Sequence, residues 1–365
     1  MQLRSSLLPL GLLAFQLQVP STAASSASLG ARAGHHPPGT GHHKESTSAA
    51  AIATGIVTAP LRLTLPKDQQ DPSTFAVQVQ VGESTLNVAL DAQFTDFVVN
   101  SGAYQPAASK TAVKSDVPFS VERNSDEKAD GLLYQDDFTI AGLTIKKFIV
   151  APAKNKFYPG AGDGLLGFAY AWNSEVYQGN VPFLSALKET GAIQSAVMGL
   201  ALWADGGEIS LGGPNPTKFK GPITWVPVHE GYPFWTTLGK VAGVAVDLTM
   251  DTQRMAVNIP RPKAEQMFKN IPGLTLYEED YGILRARYPC AKPPQIMVEF
   301  GALKVPMGGM TVPYAKDPSY CVAPFLGVSK EAVPSGDAMG GGWLYSNLYV
   351  IVDMDKGMVG YALKA

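Results

Sequence analysis

Val88-Ala89-Leu90-Asp91-Ala92-Gln93-Phe94 and Leu248-Thr249-Met250-Asp251-Thr252-Gln253-Arg254 are the two stretches whose reading decides the fold. In each, an apolar run ends on an aspartate and a glutamine follows two residues later. A second apolar stretch comes next, Phe97-Val98-Val99 in the first and Ala256-Val257 in the second. A carboxylate at the end of a buried strand is costly unless hydrogen bonds or a shared proton compensate it. Two such carboxylates in matching settings point to one shared site.

The surrounding sequence has the texture of a β protein. Phe75 to Val81 alternates apolar and polar residues, Gly82-Glu83-Ser84 reads as a turn, and Thr85 to Leu90 returns as the strand that delivers Asp91. Further strands are expected at 138–140, 148–150, 208–211, 224–226, 295–300 and 349–352. Two helices are expected, at 182–189 with Gly191 as the stop, and at 262–270. The repeated strand–Asp–strand unit predicts two related β lobes, 58–230 and 231–365. Asp247 rivals Asp251, but it has no matching downstream pattern and reads as a strand-end or turn residue.

Composition narrows the class. The chain is 45% hydrophobic and 16% charged, with 37 glycines and 28 prolines, which suits a turn-rich β protein. A net charge of −2 gives no electrostatic case for nucleic acid or an anionic membrane. Arg4, the apolar run Leu7 to Leu17 and the small residues Ser21 to Ala24 read as a secretory signal over 1–23, so the mature chain is expected to be secreted and extracellular. The apolar run is too short to span a bilayer. Residues 24–57 are rich in Ser, Ala, Gly and His and read as a flexible segment. Its pairs His35-His36 and His42-His43 read as solvated, and no metal or cofactor is expected. Cys290 and Cys321 are the only cysteines, and a secreted chain favours one disulfide between them over two buried thiols.

From about Leu61 onward the chain resembles the pepsin-like aspartic peptidases, the fungal secreted type in particular. Several segments carry the resemblance in order: Asp163-Gly-Leu-Leu-Gly-Phe-Ala169, Gly207-Glu-Ile-Ser-Leu-Gly-Gly213, Ile223-Thr-Trp-Val-Pro-Val228, Trp235 with Leu238, and Tyr349-Val-Ile-Val-Asp353 with Gly360-Tyr361. Pro260, nine residues past Asp251, matches a proline of the family. The resemblance implies a bilobal pepsin-like fold with a central cleft. It also implies a Cys290–Cys321 disulfide in the second lobe, catalytic aspartates at Asp91 and Asp251, and a peptide or protein in the cleft of a monomeric chain.

Several neighbours depart from the family pattern of Asp-Thr-Gly followed by a hydroxyl residue. Gln93 and Gln253 replace both glycines. Ala92 has no hydroxyl, whereas Thr252 keeps one. Phe94 and Arg254 replace the residues that would donate to the outer carboxylate oxygens. The stretch expected to form the flap, Phe119 to Gly131, has no tyrosine and is highly charged, in the manner of a solvated loop. No basic inhibitory segment precedes the first lobe in the family manner. The reaction needs two carboxyls that share one proton, one serving as base toward water and the other as acid toward the peptide. A guanidinium at Arg254 opposes that sharing. The expectation is therefore a peptide-binding cleft with weak or lost proteolysis. The alternatives are an active endopeptidase using Asp91 and Asp251, and acid–base chemistry on a non-peptide substrate.

Overall fold

A computed structural model of the chain describes residues 55–365 except 65–73, 125–126, 159–161, 170–175, 177–181, 204, 233, 309–311 and 334–337. The expected signal over 1–23 and most of the expected flexible segment lie outside the described residues. Regular structure begins earlier than Leu61. The strand Val57–Thr64 pairs with Gly206–Leu211, Val57 facing Leu211, so the first residues of this strand are fixed by a partner about 150 residues away in sequence.

Strands dominate, as the alternation predicts. Thr74–Val81 and Ser84–Asp91 form the expected hairpin across a turn in which Gly82 takes a positive φ of 53°. The other expected strands appear within Glu127–Ile140, Leu143–Pro152, Gly206–Leu211, Phe219–Pro227, Ile296–Phe300 and Leu348–Asp353. Both expected helices form, as Phe183–Glu189 and Arg261–Lys269. A proline stands at the N-cap of each, where the absence of an N–H costs nothing to the helix. Asp247 is not a strand-end residue. It lies inside Val244–Met250, and its carboxylate faces His229 Nδ1 at 2.9 Å.

The described strands form two sheets, of 13 and 11 strands. Each contains the same four-strand unit around its aspartate. In the first, Ser84–Asp91 runs parallel to Gly164–Gly167, which runs antiparallel to Phe97–Val99, which runs parallel to Leu143–Pro152. In the second, Val244–Met250 runs parallel to Ala338–Gly340, which runs antiparallel to Val257–Pro260, which runs parallel to Phe325–Val328. Order and direction agree at every step. The sequence repeat is therefore a repeat of backbone topology.

Glycines mark where the backbones in these units meet. A Cβ on Gly167 would lie 2.3 Å from the Phe94 carbonyl oxygen. A Cβ on Gly341 would lie 2.3 Å from Ala256 O and 2.7 Å from Arg254 O. Both are closer than any side-chain carbon tolerates, so each loop after an aspartate packs against a bare backbone.

The sheets do not divide the chain at one point. The late strands Leu348–Asp353 and Met358–Lys364 join the first sheet, between Val197–Trp203 and Phe219–Pro227. Aromatic rings fill the core beside the first unit, with Phe97, Phe138 and Phe148 in mutual contact at centroid distances of 5.0–6.2 Å. The Cys290–Cys321 disulfide forms, with Cα atoms 5.0 Å apart and a sequence separation of 31. On the chain-entropy view it stabilises the fold by about 3–4 kcal/mol.

Candidate active site

Asp91 closes its strand and is fully buried. Its Oδ1 accepts the Gln93 N–H at 2.8 Å, and its carbonyl accepts the Phe168 N–H at 3.0 Å. Asp251 follows its strand directly and is also buried. Its Oδ1 accepts the Gln253 N–H at 2.8 Å, and its own N–H donates to Gly340 O at 2.9 Å. Each carboxylate thus takes the amide two residues on.

The two loops touch. Thr252 Oγ1 donates to Leu90 O at 2.8 Å and accepts the Ala92 N–H at 3.2 Å. This link uses the hydroxyl that Thr252 keeps. Ala92 cannot return the donation, but the gap is not left open. Gln93 Nε2 donates to Met250 O at 3.3 Å, and Met250 occupies the place in its loop that Leu90 occupies in the first. Gln253 Nε2 adds a second donor to Leu90 O at 2.8 Å, filling both lone pairs of that carbonyl. The glutamines therefore tie one aspartate loop to the other. Sequence reasoning treated them only as replacements for glycine. Their identical offset from the two aspartates was the available signal. Trp235 adds a further tie: its Nε1–H donates to Phe168 O at 2.8 Å, and its carbonyl accepts the Met250 N–H at 3.0 Å.

The residues one position further on differ in kind. Phe94 is buried and packs on Phe157, with centroids 5.9 Å apart, so an apolar ring stands where a hydroxyl was missed. Arg254 is part-exposed and brings Nε to 3.7 Å from Asp251 Oδ2. Its Nη1 also approaches Met339 Sδ at 3.7 Å. Near Asp251 the Tyr345 hydroxyl is deeply buried. Burial first, then the fields of Tyr361 and the Asp251 carboxylate, hold its pKa well above that of an ordinary phenol.

The expected flap is the hairpin of Val113–Asn124 with Glu127–Ile140, in which Phe119 faces Gly131. Its exposed charges pair on the outer face, Lys128 with Glu122 at 2.9 Å and Lys154 with Asp130, whereas Glu127 is buried. Phe119, Val121 and Ala129 point inward. The strand is thus amphipathic rather than a uniformly solvated loop. At its far end Asp136 is buried among hydroxyl donors, Thr111 at 2.6 Å, Tyr104 at 2.8 Å and Ser109 at 3.0 Å. Burial raises this carboxyl, but those bonds and the Asp137 amide outweigh it and leave its pKa below the ordinary value.

Among the described residues no group of His, Cys, Asp and Glu is arranged to hold a metal, and no helix is long and apolar enough to cross a membrane. The pairs His35-His36 and His42-His43 fall outside the described residues.

Two buried aspartates, brought loop to loop by a duplicated four-strand unit, define the class of bilobal acid proteases. The model of the eukaryotic aspartyl protease family matches residues 70–364, and the chain belongs to that family. Secreted aspartyl protease 1 of Malassezia globosa is 27% identical over 290 residues, covering 79% of this chain and 73% of that one. An aspartic protease of Phaffia rhodozyma is 25% identical over 321 residues, covering 81% and 77%. The crystal structure of an aspartic proteinase from Irpex lacteus superposes with a TM-score of 0.68 at 16% identity, covering 85% of this chain and 98% of that one, a likeness of fold.

Proposed function

We propose that this chain is a secreted, monomeric, peptide-binding member of the family in which peptide hydrolysis is weak or lost. The reading takes 58–230 and 231–365 as the lobes flanking the cleft, with Asp91 and Asp251 at its floor. The observation that carries it is the Arg254 guanidinium, 3.7 Å from the buried Asp251 carboxylate. An opposite charge at that range favours the ionised carboxylate. A pair held doubly ionised retains a base for water but has no acid for the peptide oxygen or the leaving amine. Secretion is supported by the N-terminal sequence, by the disulfide and by the name borne by the Malassezia globosa relative.

The test is a cleavage assay on denatured protein substrates from acid to neutral pH. The expected result is no cleavage above that of Asp91→Asn. Arg254→Thr combined with Gln93→Gly and Gln253→Gly should raise cleavage, since one group placed beside the reacting charges commonly changes rate by roughly 10²–10³. Acid-pH cleavage by the natural chain that is lost in Asp91→Asn and is not raised by the triple substitution would overturn the proposal. One observation favours the second reading, an active endopeptidase: both aspartates keep their amide donors at 2.8 Å.

A further inference from the structure

Tyr158 follows the strand Leu143–Pro152, and its side chain is buried. Its backbone is held on both sides by one residue. The Tyr158 N–H donates to Asn100 Oδ1 at 2.8 Å, and Asn100 Nδ2 donates to the Tyr158 carbonyl at 3.1 Å. Asn100 Nδ2 also reaches Gly162 O at 3.1 Å. A tyrosine fixed at its backbone and packed around its ring presents its hydroxyl at a set position. That hydroxyl donates to Gln253 Oε1 at 2.8 Å.

The Gln253 side-chain amide is thereby held at both of its heavy atoms, by Tyr158 at oxygen and by Leu90 O at nitrogen. Both partners lie in the first half of the chain, and Gln253 lies in the second. An amide with one partner can rotate about its last bond and sample others, whereas an amide with two is fixed. The backbone N–H of the same residue donates to Asp251 Oδ1 at 2.8 Å.

We infer that Tyr158 is a positioning residue for the Asp251 carboxylate, acting through Gln253. The hydroxyl immobilises the Gln253 side chain, the side chain immobilises the loop, and the loop presents the N–H that fixes Asp251 Oδ1. A glycine at 253 would offer nothing for Tyr158 to hold. The tyrosine and the glutamine are therefore one device. Its importance rests on the reading of Asp251 as a site carboxylate, but its geometry does not.

Hydrogen exchange read by NMR tests the inference on the full chain. Tyr158→Phe keeps the ring and removes one hydrogen bond. It should speed exchange of the Gln253 amide roughly three- to tenfold, the range that one net hydrogen bond provides. The Cys290 amide, which donates to Ser319 O at 2.9 Å away from the site, should keep its rate. The Asp251 carboxyl-carbon resonance should move at constant pH. Adding Tyr158→Phe to Gln253→Ala should produce no further acceleration at residue 253. An unchanged Gln253 rate, equal acceleration at Cys290, or a Gln253 amide already unprotected in the natural chain would each overturn the inference. None of these readouts depends on cleavage or peptide binding, so the proposed function stands or falls separately.

Discussion

The two aspartate loops share a backbone scheme and differ in almost every side chain that completes it. Each carboxylate accepts the amide two residues on at 2.8 Å, and each loop packs against a glycine that no other residue could replace. Beyond that, the first loop offers Ala92 and Phe94, both turned into the core. The second offers Thr252, with two bonds across the junction, and Arg254 beside its carboxylate. Duplication supplies the frame, and polar and charged chemistry has collected on one side of it. In a dyad that shares a proton the two sides must be closely matched. Here one carboxylate faces a fixed cation, and on the proposed reading that imbalance is what weakens hydrolysis.

Trp235 offers the strongest way to break the comparison, because it touches both loops. Trp235→Ala removes a fully buried ring and the donor to Phe168 O, and should cost about 3–5 kcal/mol. Denaturant unfolding measures this, and a loss below about 1 kcal/mol would mean that the loops are not joined through it. Thr252→Ala comes next. It leaves the buried Ala92 N–H without its acceptor, at a cost of about 2 kcal/mol. Gln93→Ala, the corresponding loss from the first loop, removes one longer bond of 3.3 Å and should cost about 1 kcal/mol. Equal costs for Thr252→Ala and Gln93→Ala would show that the junction is energetically symmetric despite its chemistry.

The smallest effect concerns a third carboxylate, Asp136, whose side-chain donors are all neutral. Its folded pKa lies below the ordinary value of 3.8. Such a group binds its proton more readily when unfolded, so its stabilisation is fully present above about pH 4 and is lost as pH falls through the lower folded value. The stability difference between the natural chain and Asp136→Asn should therefore shrink on acidification below that point. A difference that stays flat to pH 2 would mean that Asp136 is bound no better than in the unfolded chain.

Much of this was legible in the sequence. Strict alternation at 75–81, the apolar run ending at Leu90, turn residues between them and a repeated aspartate setting were sufficient for the strands and the duplicated unit. Prolines at 182 and 262 marked both helix starts to within a residue. The placement of Asp91, Asp251, Thr252 and Arg254 in matching loops was legible, because backbone repetition fixed their places. The roles of Gln93 and Gln253 were not. A glutamine's reach depends on where the opposite loop lies, and that is set by strands far away in sequence. Tyr158 was missed for the same reason: nothing local distinguishes it from any other tyrosine near a bend. Asp247 misled because it sits amid apolar neighbours, yet its strand turns that side toward His229.

The return of Leu348–Asp353 and Met358–Lys364 to the first sheet bears on how the chain is made. Residues 57–227 leave the ribosome with a gap between Val197–Trp203 and Phe219–Pro227, which only the last strands to be synthesised can fill. The loop closed by that pairing spans roughly 150 residues, and contacts so distant in sequence form slowly. The early half must wait, with unpaired strand edges, until synthesis is nearly complete. A nascent chain stalled before residue 348 should therefore be far more sensitive to protease in its first half than the released protein.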